Sequence, residues 1–213
     1  MAEKVRFYFD FASPYTYLAQ AQVDNVVLGA GGEVEWIPVL LGAVMKATGN
    51  VPPASLPARA LYMGQDLPRW AGMYGVPFVW TPHFPLTTTH ALRAALAVRA
   101  AAPDKYLPFV RALFDAAWAR SENIGDRAVL ATVAGRVGVD GAMAAAASDD
   151  QRWKDALRAG TEEAVKAGAF GAPTFAIEGT GELFFGNDRL ELLAARLRRG
   201  KPWDKLSAAV PAI

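Results

Sequence analysis

The first forty residues have the hydrophobic pattern of a strand, a helix and a second strand. Residues 5–11 are apolar and β-prone at nearly every position, which is typical of a strand covered on both faces. A helix is predicted from Ser13 to about residue 28, because serine is a favoured N-cap and Pro14 suits the first helical position. Residues 34–39 return to strand character. This order implies a right-handed crossover between parallel strands, with the helix beginning at the sheet edge where ligands bind in open α/β sheets.

The middle of the chain is predicted to be helical. From about residue 41 to residue 168 strand-like runs almost vanish and alanine-rich segments dominate. Apolar pairs such as Leu92 with Leu96, four residues apart, favour helices that each bury one face. Five helices are predicted, over residues 56–74, 89–101, 105–119, 126–137 and 149–167.

The end of the chain has the pattern of a β-hairpin and a final helix. Residues 174–178 and 183–185 are predicted strands on either side of a glycine-rich turn. The following apolar residues repeat with helical spacing, and Asn187 or Asp188 is the natural N-cap. The whole order predicts an α/β protein with a thioredoxin-like domain formed by residues 1–40 and 169–213. An all-helical insertion domain, residues 41–168, is placed between the second and third strands.

Composition excludes several classes of chemistry. The 22 Lys+Arg and 21 Asp+Glu among 213 residues give a net charge of +1, which disfavours nucleic acid and anionic membrane partners. No signal-like segment or long apolar run is present, so the protein is expected to be cytoplasmic. Two histidines without metal-ligand spacing predict no metal site. The absence of cysteine excludes disulfide exchange and cysteine nucleophiles, so any sulfur chemistry needs a ligand that brings the sulfur.

Ser13 is the first candidate for chemistry. A hydroxyl at the beginning of a helix lies among unpaired amides and at the positive end of the helix dipole, a position that favours an anion such as a thiolate. The dipole and a hydrogen bond together contribute about 2 to 4 kcal/mol, which lowers a thiol pKa by about 1.5 to 3 units. The simpler alternative is that Ser13 merely caps a helix, and the dipeptide alone does not decide between the two.

Pro173 is the second candidate, because it stands at the entrance to the predicted third strand. Prolines commonly begin strands, and cis bonds before proline are a small minority, so Pro173 could be a simple breaker. The predicted topology nevertheless brings this proline beside Ser13, and the pair is more informative than either residue.

Five motifs in order along the chain carry a resemblance to a known family. They are Phe7-Tyr8-Phe9-Asp10-Phe11-Ala12-Ser13-Pro14-Tyr15, Gly49-Asn50, Tyr74-Gly75-Val76-Pro77, Phe170-Gly171-Ala172-Pro173-Thr174-Phe175 and Phe185-Gly186-Asn187-Asp188-Arg189-Leu190. Over nearly its whole length the chain resembles the 2-hydroxychromene-2-carboxylate isomerase family. That family is similar to the kappa-class glutathione transferases and to bacterial disulfide oxidoreductases with a helical insertion in a thioredoxin fold.

The resemblance implies glutathione as the cofactor. It implies that Ser13 hydrogen-bonds the glutathione thiolate, and that Ala172, ahead of a cis Pro173, pairs its backbone with the cysteinyl part. Asn187 and Asp188, with Arg189 beside them, are implied to receive the γ-glutamyl end.

The resemblance also implies where the substrate lies. Asn50 and Val51 match the Gly-Asn segment that lines the substrate side of the family's site. Lys46 is the corresponding cation for an acidic substrate, and Phe84 falls in the segment that forms a wall of the pocket.

The expected function is therefore a glutathione-dependent isomerase that acts on a small aromatic-derived carboxylate, in a protein that the resemblance suggests is a homodimer. The hypothesis is that the thiolate adds to the ring-opened substrate, a bond rotates, and elimination gives the trans isomer. Two alternatives stay open at this point: a kappa-like transferase that conjugates glutathione to small electrophiles, and a non-catalytic thioredoxin-like module that binds another protein.

Overall fold

A mixed sheet organises the described part of the protein. The computed structural model describes residues 2–203; Met1 and residues 204–213, where the predicted thioredoxin-like domain ends, lie outside the described residues. Within residues 2–203 the four strands are β1 (Lys4–Phe9), β2 (Glu33–Pro38), β3 (Thr174–Ile177) and β4 (Leu183–Phe185). Their order is β2-β1-β3-β4, with β1 and β2 parallel and the other neighbours antiparallel.

Helices cover the sheet and fill the segment between β2 and β3. Their bounds are α1 (Pro14–Gln20), α2 (Val23–Gly29), α3 (Leu41–Thr48), α4 (Pro57–Tyr74), α5 (Thr89–Ala101), α6 (Pro103–Trp118), α7 (Arg127–Arg136), α8 (Gly141–Ala146), α9 (Gln151–Lys166) and α10 (Leu190–Arg199). Short 3-10 turns cover Pro53–Ser55 and Asn187–Arg189. The predicted fold class, a thioredoxin-like fold with a helical insertion, is confirmed.

The strand β1 is buried on both faces, as its continuous apolar pattern predicts. Phe7 and Phe9 point to one face because strand side chains alternate, and both pack against Trp36 of β2 at 4.8 and 5.8 Å between ring centroids. Phe9 also contacts Phe114 of α6 at 5.9 Å, so the core of the sheet continues into the inserted helices. Tyr8 points to the opposite face, which α9 covers. The division into two domains at residues 40 and 169 stays a prediction.

The predicted single helix over residues 13–28 is wrong in its length. The chain forms α1 and α2 instead, with a break at Ala21 and Gln22. The break changes the direction of the chain, so that α1 packs against α4 and α6 while α2 packs against α10 and β2. The apolar periodicity continues across the break and therefore does not reveal it.

Three further local differences concern short segments. The sequence does not predict α3 and α8, because they have only 8 and 6 residues, too few to show a period. The predicted N-cap role of Asn187 or Asp188 is wrong as well. Both residues lie inside a 3-10 turn, and α10 begins after Arg189, which makes no side-chain cap bond.

Candidate active site

The contact between Ser13 and Ala172 is the centre of the site. Ser13 is 5% exposed, has extended backbone angles and is the N-cap of α1. Its Oγ accepts a hydrogen bond from the amide of Thr16 at 3.1 Å and donates one to the carbonyl oxygen of Ala172 at 2.9 Å. The bond between Ala172 and Pro173 is cis. The structure thus brings the beginning of the first helix against the residue that precedes the cis proline.

The turn after β4 carries a buried amide and an exposed ion pair. Asn187 is buried, and its side chain and carbonyl make long hydrogen bonds of 3.5 and 3.4 Å with the hydroxyl of Tyr74. Asp188 and Arg189 form an ion pair at 2.8 Å. Gly186 has φ +103°, and a Cβ at that position would lie 2.5 Å from Oδ1 of Asp188. This turn packs against α1, so the same region holds both Ser13 and Asp188.

A second carboxylate, Asp66 of α4, contacts Tyr15 of α1. The hydroxyl of Tyr15 donates to Asp66 at 2.9 Å, and that of Tyr62 donates to the other oxygen at 3.2 Å. Burial raises the pKa of Tyr15, and the negative charges of Asp66 and Asp188 raise it further. The carboxylates of Asp66 and Asp188 therefore both disfavour ionisation of the Tyr15 phenol, two residues after Ser13. Sequence reasoning missed Asp66, because the α4 pattern shows only a helix and no local motif marks the residue.

Asn50 connects α3 to the segment that leads to the cis proline. It follows Gly49, which ends α3 in the left-handed conformation at φ +70°. Its side-chain amide donates to the carbonyl of Phe170 at 2.9 Å, and its oxygen accepts the amide of Val51 at 2.9 Å. Val51 is itself exposed. Asn50 therefore holds a segment that ends two residues before Ala172.

Lys46 and Phe84 make no hydrogen bond or ring contact with the described residues at the centre of the site. Lys46 is exposed in the last turn of α3 and makes no ion pair with the residues that the structure describes. Phe84 packs against Trp80 and Trp118 at 5.3 and 6.3 Å between ring centroids. The indole of Trp118 donates to the carbonyl of Phe11 at 2.8 Å, which joins this aromatic cluster to the segment before Ser13. Among the described residues, neither Lys46 nor Phe84 has a hydrogen bond or ring contact with Ser13 or Ala172.

Asp10 is a buried carboxylate at the end of β1 that sequence reasoning did not single out. It is 1% exposed, and its oxygens accept the amides of Ala12 at 3.0 Å and Leu41 at 2.8 Å. Its backbone carbonyl accepts the amide of Ser13 at 3.2 Å. Burial raises the pKa of Asp10, and the hydrogen bonds from backbone amides and from Thr88 oppose that rise. A charged residue inside an otherwise apolar run was the available signal.

Residues 2–203 hold no metal-binding cluster and no membrane-spanning helix. In that part of the chain no group of three or more His, Asp or Glu side chains is placed to hold a metal ion. No helix there is both long enough and apolar enough to cross a bilayer.

These features define a thioredoxin-fold protein whose first helix begins with a serine and whose third strand follows a cis proline. The chain belongs to the DSBA-like thioredoxin domain family, whose model matches residues 4–198. It is 33% identical over 209 residues to glutathione S-transferase kappa 1 of Caenorhabditis elegans, covering 93% of this chain and 92% of that protein. It is 30% identical over 199 residues to 2-hydroxychromene-2-carboxylate isomerase of Sphingobium xenophagum, covering 92% and 99%.

A solved structure supports the same relationship. The 2-hydroxychromene-2-carboxylate isomerase structure superposes with a TM-score of 0.82 at 26% identity, covering 92% of this chain and 95% of that one. The resemblance stated from the motifs is therefore confirmed, and the chain has relatives of two enzyme types, isomerases and kappa-class transferases.

Proposed function

We propose that the protein is a glutathione-dependent isomerase of the 2-hydroxychromene-2-carboxylate type. The observation that carries the proposal is the hydroxyl of Ser13, held at the beginning of α1 and against the residue before cis Pro173. The chain has no cysteine, so a thiol that reacts at this position must belong to a ligand. Relatives named as an isomerase and as a glutathione transferase support glutathione as that ligand.

The residues present fit the chemical groups of glutathione. The tripeptide carries a thiol, peptide amides and a γ-glutamyl end with one ammonium and one carboxylate group. Ser13 is suited to the thiolate, and the backbone of Ala172 is suited to pair with the cysteinyl part as an added strand does. Asp188, oriented by its ion pair with Arg189, is suited to the ammonium group. The turn at Asn187 offers the amides for the carboxylate, and Asp66 adds negative potential on the ammonium side.

The Ser13 hydroxyl can donate to only one of two acceptors at a time, the carbonyl of Ala172 or the sulfur of glutathione. Its hydroxyl has one hydrogen, which the structure directs to the carbonyl of Ala172. We infer that this hydrogen turns towards the sulfur when glutathione binds. The carbonyl of Ala172 is then free to accept a hydrogen bond from the cysteinyl amide. Binding of the peptide and stabilisation of the thiolate are coupled in this way through one hydroxyl.

The hydrogen bond is expected to do more than the helix dipole. The helix α1 has only seven residues and is shorter than the helix predicted from the sequence. Its dipole therefore contributes less to stabilising a thiolate than the dipole of the predicted helix would. A hydrogen bond to a charged group contributes about 1.5 to 3 kcal/mol, equivalent to about 1 to 2 pKa units. A thiol that begins near 8.5 would thus reach a pKa of about 6.5 to 7.5, enough for a large thiolate fraction at neutral pH.

When bound, glutathione supplies a sulfur nucleophile that adds to an electrophilic carbon, permits rotation about the bond that becomes single, and leaves unchanged. The chain's own residues stabilise the thiolate at Ser13 and position the substrate. In this proposal Lys46 attracts the substrate carboxylate, and Asn50, Val51 and Phe84 lie on the substrate side. A homodimer and a cytoplasmic location stay predictions.

A kappa-like transferase is the second candidate, and the 33% identity to a kappa transferase favours it. The two functions differ in the product. After incubation with glutathione and the ring-opened substrate, an isomerase gives a product of unchanged mass and leaves the glutathione concentration constant. A transferase gives a conjugate and consumes one glutathione per product. Mass spectrometry of the reaction decides between them, and no saturable binding of glutathione in calorimetry would leave only the non-catalytic module.

A further inference from the structure

The segment that carries Ser13 and the segment that carries Ala172 are also connected indirectly, by hydrogen bonds to the two ends of α3. On one side, Asn50 at the end of α3 holds the carbonyl of Phe170, two residues before Ala172. On the other side, the amide of Leu41 at the beginning of α3 donates to Asp10, three residues before Ser13. The helix α3 therefore connects residues 10–13, called the Ser13 turn below, to residues 170–173, called the proline segment.

Asp10 closes this route into a ring. One carboxylate oxygen accepts the amide of Ala12 and fixes the turn that presents Ser13. The other oxygen accepts the amide of Leu41 and fixes the first residue of α3. The direct bond from Ser13 to Ala172 completes the ring on its far side. The pairing of β1 with β3 brings the two elements together, and the two oxygens of Asp10 add a second connection between them through α3.

The chemistry of the position requires a carboxylate. Burial of a carboxyl group in a protein interior is costly unless its oxygens are hydrogen-bonded, and Asp10 is almost completely buried. Asparagine offers only one acceptor oxygen, and its amide nitrogen would face an amide that also donates. Alanine offers no acceptor. A graded loss is therefore expected along the series Asp, Asn, Ala.

We propose that Asp10 is a positioning residue for the active site: its two oxygens hold the Ser13 turn and α3 together, so that the Ser13 hydroxyl lies at the correct distance from the proline segment. The inference rests on the proposed function, because its effect is measured on bound glutathione. Asp10 acts through Ser13 and not on the sulfur. Its loss therefore weakens the hydrogen bond to the thiolate, while the contacts of the γ-glutamyl end are kept.

The experiment compares Asp10→Asn and Asp10→Ala with wild type and with Asp115→Asn as the matched control. Asp115 is another carboxylate with a pKa raised by burial, and it lies in α6 outside the ring. The thiolate absorbance of bound glutathione is titrated against pH, the dissociation constant is measured by calorimetry, and thermal unfolding reports stability.

We expect Asp10→Ala to raise the pKa of the bound thiol by about one unit, which makes the thiolate fraction at neutral pH about 3- to 8-fold smaller from a starting pKa of about 6.5 to 7.5. Asp10→Asn should lie between Asp10→Ala and wild type. Measured at a pH below the thiol pKa, where glutathione binds as the thiol, the dissociation constant should stay near the wild-type value. Asp115→Asn should keep the wild-type thiol pKa.

Several results would overturn the inference. A folded Asp10→Ala with the wild-type thiol pKa would show that the residue is only structural. A lowered thiol pKa would show that Asp10 acts by its charge, since removal of a nearby negative charge favours a thiolate. If Asp10→Ala does not fold, an unchanged thiol pKa in Asp10→Asn decides against the inference.

The outcome is distinguishable from failure of the proposed function. If Ser13→Ala raises the pKa of the bound thiol and the Asp10 variants do not, only the inference about Asp10 fails. If wild type binds no glutathione, or if Ser13→Ala leaves the thiol pKa unchanged, the proposed function fails and the inference fails with it.

Discussion

The Ser13 hydroxyl lies 2.9 Å from the carbonyl oxygen of Ala172, although 159 residues separate the two positions in the chain. The whole helical insertion is accommodated between them without separating the first strand from the third, because β1 and β3 are paired in the sheet. The sheet therefore fixes the two elements on which the proposed chemistry depends, and the inserted helices add residues around them.

Ser13→Ala should raise the pKa of the bound glutathione thiol by about 1 to 2 units, because the only side-chain donor proposed for the sulfur is removed, and the smaller thiolate fraction should reduce turnover at neutral pH by about 8- to 25-fold. The variant also loses a helix cap, which costs about 1 kcal/mol of unfolding free energy. Absorbance titration and steady-state kinetics measure these effects.

The control for Ser13→Ala is Asp126→Ala. Asp126 caps α7 through the amide of Ala128, and none of the site contacts described above involves it. It should lose comparable stability and keep the wild-type thiol pKa. Equal thiol pKa values in the two variants would remove Ser13 from the mechanism.

Asp188→Ala should weaken glutathione binding by about 3- to 10-fold, a modest effect because the carboxylate is partly exposed and screened by solvent. The bound thiol should keep its pKa, since Asp188 is assigned to the other end of the tripeptide. Calorimetry measures the dissociation constant, and Glu191→Ala, an acidic neighbour in the first turn of α10, is the matched control. An unaltered constant in Asp188→Ala would refute the assigned contact.

Lys46→Gln should raise KM for the carboxylate substrate by about 3- to 10-fold, because one exposed cation contributes a screened attraction. The glutathione dissociation constant should stay as in wild type. Lys166→Gln changes a lysine in the last turn of α9 and serves as the control. If Lys46→Gln and wild type have the same KM at low ionic strength, Lys46 does not face the substrate.

The parts of the site that the sequence reveals are those with a local signature. Ser13 followed by Pro14 indicates the beginning of a helix independently of the rest of the chain. A proline ahead of a β-prone run likewise indicates the beginning of β3. The approach of the two then follows from strand pairing. For this reason the centre of the site could be expected before the structure was known.

The other parts depend on tertiary packing and have no local signature. Asp66 belongs to a long helix, and only the packing of α4 against α1 brings it to Tyr15. The break between α1 and α2 cannot be predicted from local sequence either, because it allows α2 to pack against α10, which is distant in sequence. Asp10 is visible as an acidic residue in an apolar run, and its contact with the amide of Ala12 is local. Its contact with Leu41 depends on α3, which is too short to be predicted.

His90 provides a test of the electrostatics of the insertion. Burial lowers its pKa, and the positive charges of Arg127 and Arg93 lower it further. A histidine whose pKa is lower in the folded state contributes stability that is fully present above its unfolded value of 6.5 and is lost as the pH falls through the folded pKa. The free energy of unfolding of wild type should therefore decrease as the pH is lowered below about 6.5.

His90→Gln should reduce that decrease, because the charge can no longer be gained in the unfolded state alone. Urea unfolding at several pH values between neutral and mildly acidic measures the difference between the variant and wild type. His83→Gln, in the loop before α5, removes the other histidine and is the control. If the unfolding free energy of His90→Gln has the same pH dependence as that of wild type throughout this range, protonation of His90 does not affect the stability of the fold.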